Sequence, residues 1–156
     1  MINIPAVLSR KPNAAAIIKG SEEYLDIHGI VRFYNTRYGI LVSAQISGLP
    51  SHKNKCSSPV FGFHLHEGTE CSGNKSDPFA NAKTHYNPDN CIHPYHAGDM
   101  PPLFDNNGYA VSVFLTDRFI LKGIIGKTVI IHSQPDDFTT QPSGNAGEKI
   151  ACGVIK

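Results

Sequence analysis

Eight histidines occur in the 156 residues, and five of them, His64, His66, His85, His93 and His96, fall within one window of 33. The others are His28, His52 and His132. His64 and His66 stand two apart in an alternating apolar run. On a strand both rings leave the same face and can converge on one ion without bending the backbone. His85, His93, His96 and Asp99 follow, the last three at offsets of 8, 3 and 3. Three imidazoles and one carboxylate match a four-coordinate zinc site. Alone, the His64/His66 pair also reads as a surface couple, and the second group as a chance cluster in a loop. His132 closes an apolar run, where a lone histidine is more often a satisfied core residue. Taken together, six histidines and Asp99 exceed what one zinc ion needs. Imidazole-only ligation suits copper as well as zinc. Two neighbouring ions sharing one histidine would account for the number of donors, without identifying which residue is shared.

Something must hold these donors in place, and the chain offers mostly strands. Ile27, Gly29, Val31 and Phe33 alternate with His28, Arg32 and Tyr34, with Ile30 the exception on that second face. Ile40, Val42, Ala44 and Ile46 alternate with Leu41, Ser43, Gln45 and Ser47. Period two reads as half-buried strand, and Asn35-Thr36-Arg37 between these runs has hairpin length. Further strands are expected at residues 14–19, at 60–66 (Phe61, Phe63 and Leu65 one way, Gly62, His64 and His66 the other), from Tyr109 through Val111 and Val113, at 127–132 and at 149–155. Lys53 and Lys55 read as a solvated turn. Residues 67–106 lack periodicity and would form one very long loop, which needs a metal or a disulfide to order it. A second loop, residues 133–148, is again rich in Pro, Asp, Gly and Thr. The expected architecture is all-β: about eight antiparallel strands in a sandwich or flattened barrel with two long functional loops, no convincing helix, and one domain over residues 1–156.

Composition narrows the function classes. Gly (14) and Pro (11) make up about 16% of the chain, which favours turns over helix. A net charge of +1 argues against a nucleic-acid binder. No apolar run approaches the roughly 20 residues of a membrane span. No secretory signal is visible in residues 1–20, which favours a cytoplasmic location.

The motifs Gly62-Phe63-His64-Leu65-His66-Glu67, His85-Tyr86-Asn87-Pro88, His96-Ala97-Gly98-Asp99 and Gly144-Asn145-Ala146-Gly147, leading to Ala151-Cys152-Gly153-Val154-Ile155, occur in this order. Together they resemble copper–zinc superoxide dismutase over residues 13–155, with a Greek-key β-sandwich as the implied fold. The resemblance implies copper held by His64, His66, His85 and His132, and zinc held by His85, His93, His96 and Asp99. His85 is then the shared residue, a bridging imidazolate. Asp136 is implied to link the free nitrogens of His64 and His93, whereas Asp137 reads as a turn residue. Cys71 and Cys152 match the family's disulfide, which would close a loop of about eighty residues, worth on the order of 4–5 kcal/mol. That bond favours an oxidising compartment, against the missing signal segment. Cys56 and Cys91 have no counterpart: a disulfide between them and two reduced thiols both stand open, and Cys91, two residues before His93, is a lesser rival candidate for the zinc ligand set.

Departures from the family pattern accompany the match. Lys149 stands where the family carries an arginine beside copper, keeping the charge but losing the planar fork. The segments between His66 and Cys71, His93 and His96, and His132 and Cys152 are shorter than in eukaryotic members. Charged guidance residues are missing between Asp137 and Gly144, so charge steering is not carried over. The shortened disulfide loop and the single residue after Ile155 speak against the eukaryotic dimer contact. The implied partner is superoxide, with no nucleic acid and no membrane. The chain stands as monomer or homodimer, and a copper-delivery protein is a further candidate partner. The rival reading is a non-enzymatic domain that handles copper or uses zinc for stability. A zinc hydrolase lacks a general base other than Glu67, which the alternation points to the opposite strand face.

Overall fold

Alternation carries most of the strands into the structure, a computed structural model that describes residues 1–51, 56 and 59–156. His52 and the expected turn at Lys53 and Lys55 lie outside the described residues. Among the described residues nine strands form: β1 Ala14–Gly20, β2 His28–Thr36, β3 Gly39–Ser47, β4 Val60–Phe61, β5 Phe63–His66, β6 Leu103–Phe104, β7 Tyr109–Thr116, β8 Thr128–His132 and β9 Lys149–Val154. Seven join in one antiparallel sheet ordered β5-β8-β9-β1-β2-β3-β7, and β4 pairs with β6 in a small second sheet. The path from β3 to β5 runs between opposite sides of the large sheet, and so do the paths from β5 to β7 and from β7 back to β8. These are Greek-key crossovers.

The large sheet curls on itself. Phe63 and Leu65 from one edge strand and Ala110 and Phe114 from the other share a single core with Val31, Phe33, Val42, Ala44, Ile46, Val129 and Ile131. A flat sheet could not bring its two edges to one core.

Three features depart from the expected layout. The expected strand at 60–66 breaks at Gly62. Its N–H donates to the Gln134 carbonyl and its carbonyl accepts from His132, so it pairs with the second long loop and with the end of β8. Among the described residues two short α-helices appear where none was expected, α1 Ile4–Leu8 and α2 Leu121–Ile124. The Asn3 side chain caps α1 by accepting from Ala6 N–H, with a proline in its first turn. This helix brings Val7 against Tyr34 and Leu41, burying two residues of the otherwise outward faces of β2 and β3. In β7 the apolar residues Val111, Val113 and Leu115 face outward and are exposed, while Ala110 is the buried one. Among the described residues no helix is long and apolar enough to cross a membrane.

The long segment 67–106 is neither structureless nor held by one staple. Its main chain folds back on β5: Leu65 N–H donates to Gly98 O, Tyr86 N–H to Leu65 O, and Glu67 N–H to Thr84 O. The Cys71–Cys152 disulfide ties the same segment to β9 across 81 residues. Ile130, Phe79 and Ala82 pack around that bond.

Candidate metal centre

Because β5 is buried on both faces, His64 and His66 leave it into the interior rather than into solvent. The folded-back loop presses against this edge, and isolated bridges set His64 opposite Asp99 and His66 opposite His85. At the end of β8 the register with β9 shifts between Ile131 and His132. His132 thereby joins the cluster instead of being a satisfied core residue.

Two groups of donors result. In each, the ligand atoms all lie within 4.8 Å of one another: His64, His66, His85 and His132 in one, and His85, His93, His96 and Asp99 in the other. His85 belongs to both. All seven side chains are buried. Cys91 is exposed, carries a free thiol and lies in neither group, so it is not joined to Cys56.

Hydrogen bonds decide which nitrogen of each ring faces the centre. His64 Nε2 donates to Asp136 Oδ2 at 2.7 Å. His66 Nδ1 donates to the Lys83 carbonyl at 2.8 Å. His132 Nδ1 donates to the Gly147 carbonyl at 3.2 Å. A neutral imidazole has one donor and one acceptor nitrogen. The remaining nitrogens therefore carry lone pairs, and they point at one another. His66 Nε2 and His132 Nε2 face each other at 3.2 Å. His64 Nδ1 and His85 Nε2 are buried with no hydrogen-bond partner. Lone pairs converging in a buried space repel unless a cation stands among them, so this donor set fits a metal ion.

The second group has the same character with a carboxylate added. Asp99 Oδ1 lies 2.7 Å from His85 Nδ1. Asp99 Oδ2 lies 3.1 Å from His93 Nδ1 and 3.3 Å from His96 Nδ1. His93 Nδ1 nonetheless makes no hydrogen bond, the arrangement of two donors aimed at a common point rather than at each other.

The electrostatics favour the neutral form, the one that binds metals, at His64, His66 and His132. Burial first, and then the neighbouring His85, push His64 down to about 4 against the opposing pull of Asp136. Burial and then His64 push His132 down to about 3. Burial and then His132 hold His66 well below its usual value. Burial alone would raise Asp136, but hydrogen bonds from His64, Phe138 N–H and His93 outweigh it and keep the carboxylate ionised. Burial is likewise outweighed at Asp99, chiefly by the hydrogen bond from His85.

The surrounding shell contains residues that sequence reasoning passed over. Gln141 reads the His93 backbone in both directions: Oε1 accepts from its N–H at 3.0 Å and Nε2 donates to its carbonyl at 2.7 Å. The Arg118 guanidinium donates to the carbonyls of Pro94, His96 and Asp99 at 2.9, 3.3 and 3.4 Å. Neither residue lies in a patterned segment, so only a conserved-geometry argument beyond one sequence would have found them. Lys83 adopts a φ of 62°, unusual for a residue with a Cβ, and this turns its carbonyl toward His66. Asp136 stands between the groups, its second oxygen accepting from His93 Nε2 at 2.9 Å. Asp137 accepts from Thr139 and Thr140 within its own turn. Glu67 is held by Lys127 at 2.7 Å, away from the cluster.

An open pocket of about 890 Å³ leads to the first group, with His66, His85 and His132 among its lining and Lys75, Lys83 and Lys149 in its walls. Lys149 pairs with Asp77 at 2.5 Å.

With this geometry in hand, comparisons with known proteins are specific. The family profile of copper/zinc superoxide dismutase (SODC) matches residues 27–155. Superoxide dismutase (Cu-Zn) 2 of Aquifex aeolicus strain VF5 is 34% identical over 146 residues, covering 84% of this chain and 80% of that one. The superoxide dismutase (Cu-Zn) of Legionella pneumophila is 36% identical over 136 residues, covering 82% and 77%. Among solved structures, a double mutant of a SOD-like protein from Bacillus subtilis superposes with a TM-score of 0.73 at 28% identity, covering 90% of this chain and 95% of that one.

Proposed function

The chain belongs to the copper/zinc superoxide dismutase family, and from that premise we propose that it disproportionates superoxide at a copper site joined to a zinc site by His85. Two superoxide ions and two protons give one dioxygen and one hydrogen peroxide. His64, His66, His85 and His132 would hold copper, and His85, His93, His96 and Asp99 would hold zinc. When bound, copper would supply the one-electron chemistry, and zinc would supply charge and loop order.

The observation that carries this reading is the placement of the His85 ring. Its Nδ1 faces Asp99 and the second group, while its Nε2 is buried without a partner among the first. A ring so placed could serve both groups, and cations held in them would favour its deprotonated form. When Nε2 is not ligating, it has no other bond to make and can hold a proton at the pocket floor, ready for the reduced product. The second proton comes from solvent through the open pocket. His64, His66 and His132 stay neutral because burial opposes their protonation, so they remain ligands rather than acids. Lys149, paired with Asp77, lies in the wall that an anionic substrate would pass.

Metal analysis and a superoxide-decay assay on reconstituted protein test the reading. One copper and one zinc per chain with fast decay is the expected result. Zinc alone, with no decay, would instead support a zinc-stabilised domain without this activity.

A further inference from the structure

Lys149 does not face the pocket as an uncompensated charge. Its Nζ donates to Asp77 Oδ2 at 2.5 Å, and the pair lies between the pocket wall and solvent, with the lysine 16% and the aspartate 39% exposed. Asp77 is itself fixed. Its Oδ1 accepts from Phe79 N–H at 3.1 Å, and its carbonyl accepts from the N–H groups of Asn74 and Ala80. The turn so built lies six residues beyond Cys71, and Lys149 lies three residues before Cys152. The disulfide and the ion pair thus tether the same loop to the same strand, one covalently and one by charge.

We propose that Asp77 sets the anion affinity of the pocket by neutralising Lys149. This rests on the reading of the pocket floor as a copper site. A lysine ammonium is a compact point charge, and a carboxylate in direct contact cancels most of its field a few ångströms away. An arriving anion meets a dipole there instead of a cation. Glu23 and Glu148 also line the pocket, but among the described residues neither forms an ion pair with Lys149. Their influence is diffuse and screened, whereas that of Asp77 is local.

The test uses protein loaded with copper and zinc and azide as the probe, followed by the azide-to-copper charge-transfer band. Asp77→Asn removes the charge and keeps an oxygen for Phe79 N–H. Asp77→Ser does the same with a smaller group and serves if the first variant folds poorly. Both are expected to tighten azide binding by about threefold or more at low salt, a gain that shrinks as salt is added. Glu23→Gln and Glu148→Gln are expected to shift it by much less. Unchanged or weaker binding in both Asp77 variants would overturn the proposal, and so would equal gains in all four variants. Wild-type protein that takes up copper yet shows no azide band would remove the underlying reading of the pocket, a result distinct from either.

Discussion

Gly144 lies against the carboxylate of Asp136. A Cβ built on it would overlap Oδ1 and stand 2.7 Å from His93 Nε2. Its φ of +68° adds a second demand that only glycine meets without strain. The loop can therefore carry Asp136 between the two donor groups only because a hydrogen atom occupies that spot.

Gly144→Ala is accordingly expected to displace the carboxylate and leave His64 Nε2 and His93 Nε2 without their acceptor. Affinity for both metals should fall by about tenfold or more, since outer hydrogen bonds to ligating histidines are worth that much. Competition titrations with a chelator would measure it. Unchanged affinity for both ions would show that Asp136 orients neither ring.

Gln141→Ala should act on one group only. The amide holds the backbone of His93 and touches no residue of the first group. Zinc affinity is expected to drop by about tenfold while copper affinity changes much less. The same titrations check this, and an equal loss for both ions would contradict it.

Acid should unfold the metal-free protein early. His64 and His132 titrate near 4 and 3 when folded, and His66 is lowered as well, against a value of 6.5 for an exposed ring. Below 6.5 the unfolded chain then binds more protons than the folded one, so stability rises with pH and falls as acid is added. The loss continues down to the folded-state values, with a slope of a few kcal/mol per pH unit where all three rings contribute. Asp99 and Asp136, held below their usual value, contribute stability that is lost only at still lower pH. Urea midpoints of metal-free protein between pH 7 and 4 should fall steeply; a flat profile would rule this account out.

Breaking the 81-residue loop closure by Cys152→Ser is expected to lower stability by about 4–5 kcal/mol in the chain-entropy picture. Parallel urea titrations of the wild type and the variant give the difference. A change below about 1 kcal/mol would mean that the main-chain bonds between the loop and β5 already restrict the chain to the same degree.

Much of this was legible in the sequence because period two and histidine spacing are local signals. Period two located β2 and β3 and put His64 and His66 on one face, whereas β1, β8 and β9 are short runs bounded by turns or loops. Period two distinguishes two faces but does not say which is inside, and in β7 the larger apolar residues Val111, Val113 and Leu115 face out. Leu41 falls on the outward face by the same rule, yet α1 covers it. Two-residue strands such as β4 and β6 are too short for any period to register. Asn3 ahead of a proline was an available start signal for α1. Arg118 and Gln141 act on main-chain carbonyls and N–H groups of distant loops, and no local pattern encodes such a meeting.

Sharing His85 and Asp136 between the two donor groups makes their occupancies thermodynamically linked. Whatever fixes the His85 ring or the Asp136 carboxylate from one side has already done part of the ordering the other side requires. Were both groups to hold ions, that shared ordering would, by reciprocity, raise the affinity for the second ion by the same factor in either order of addition. Chains carrying a single ion should thus be scarcer in a partly loaded population than independent pockets would allow.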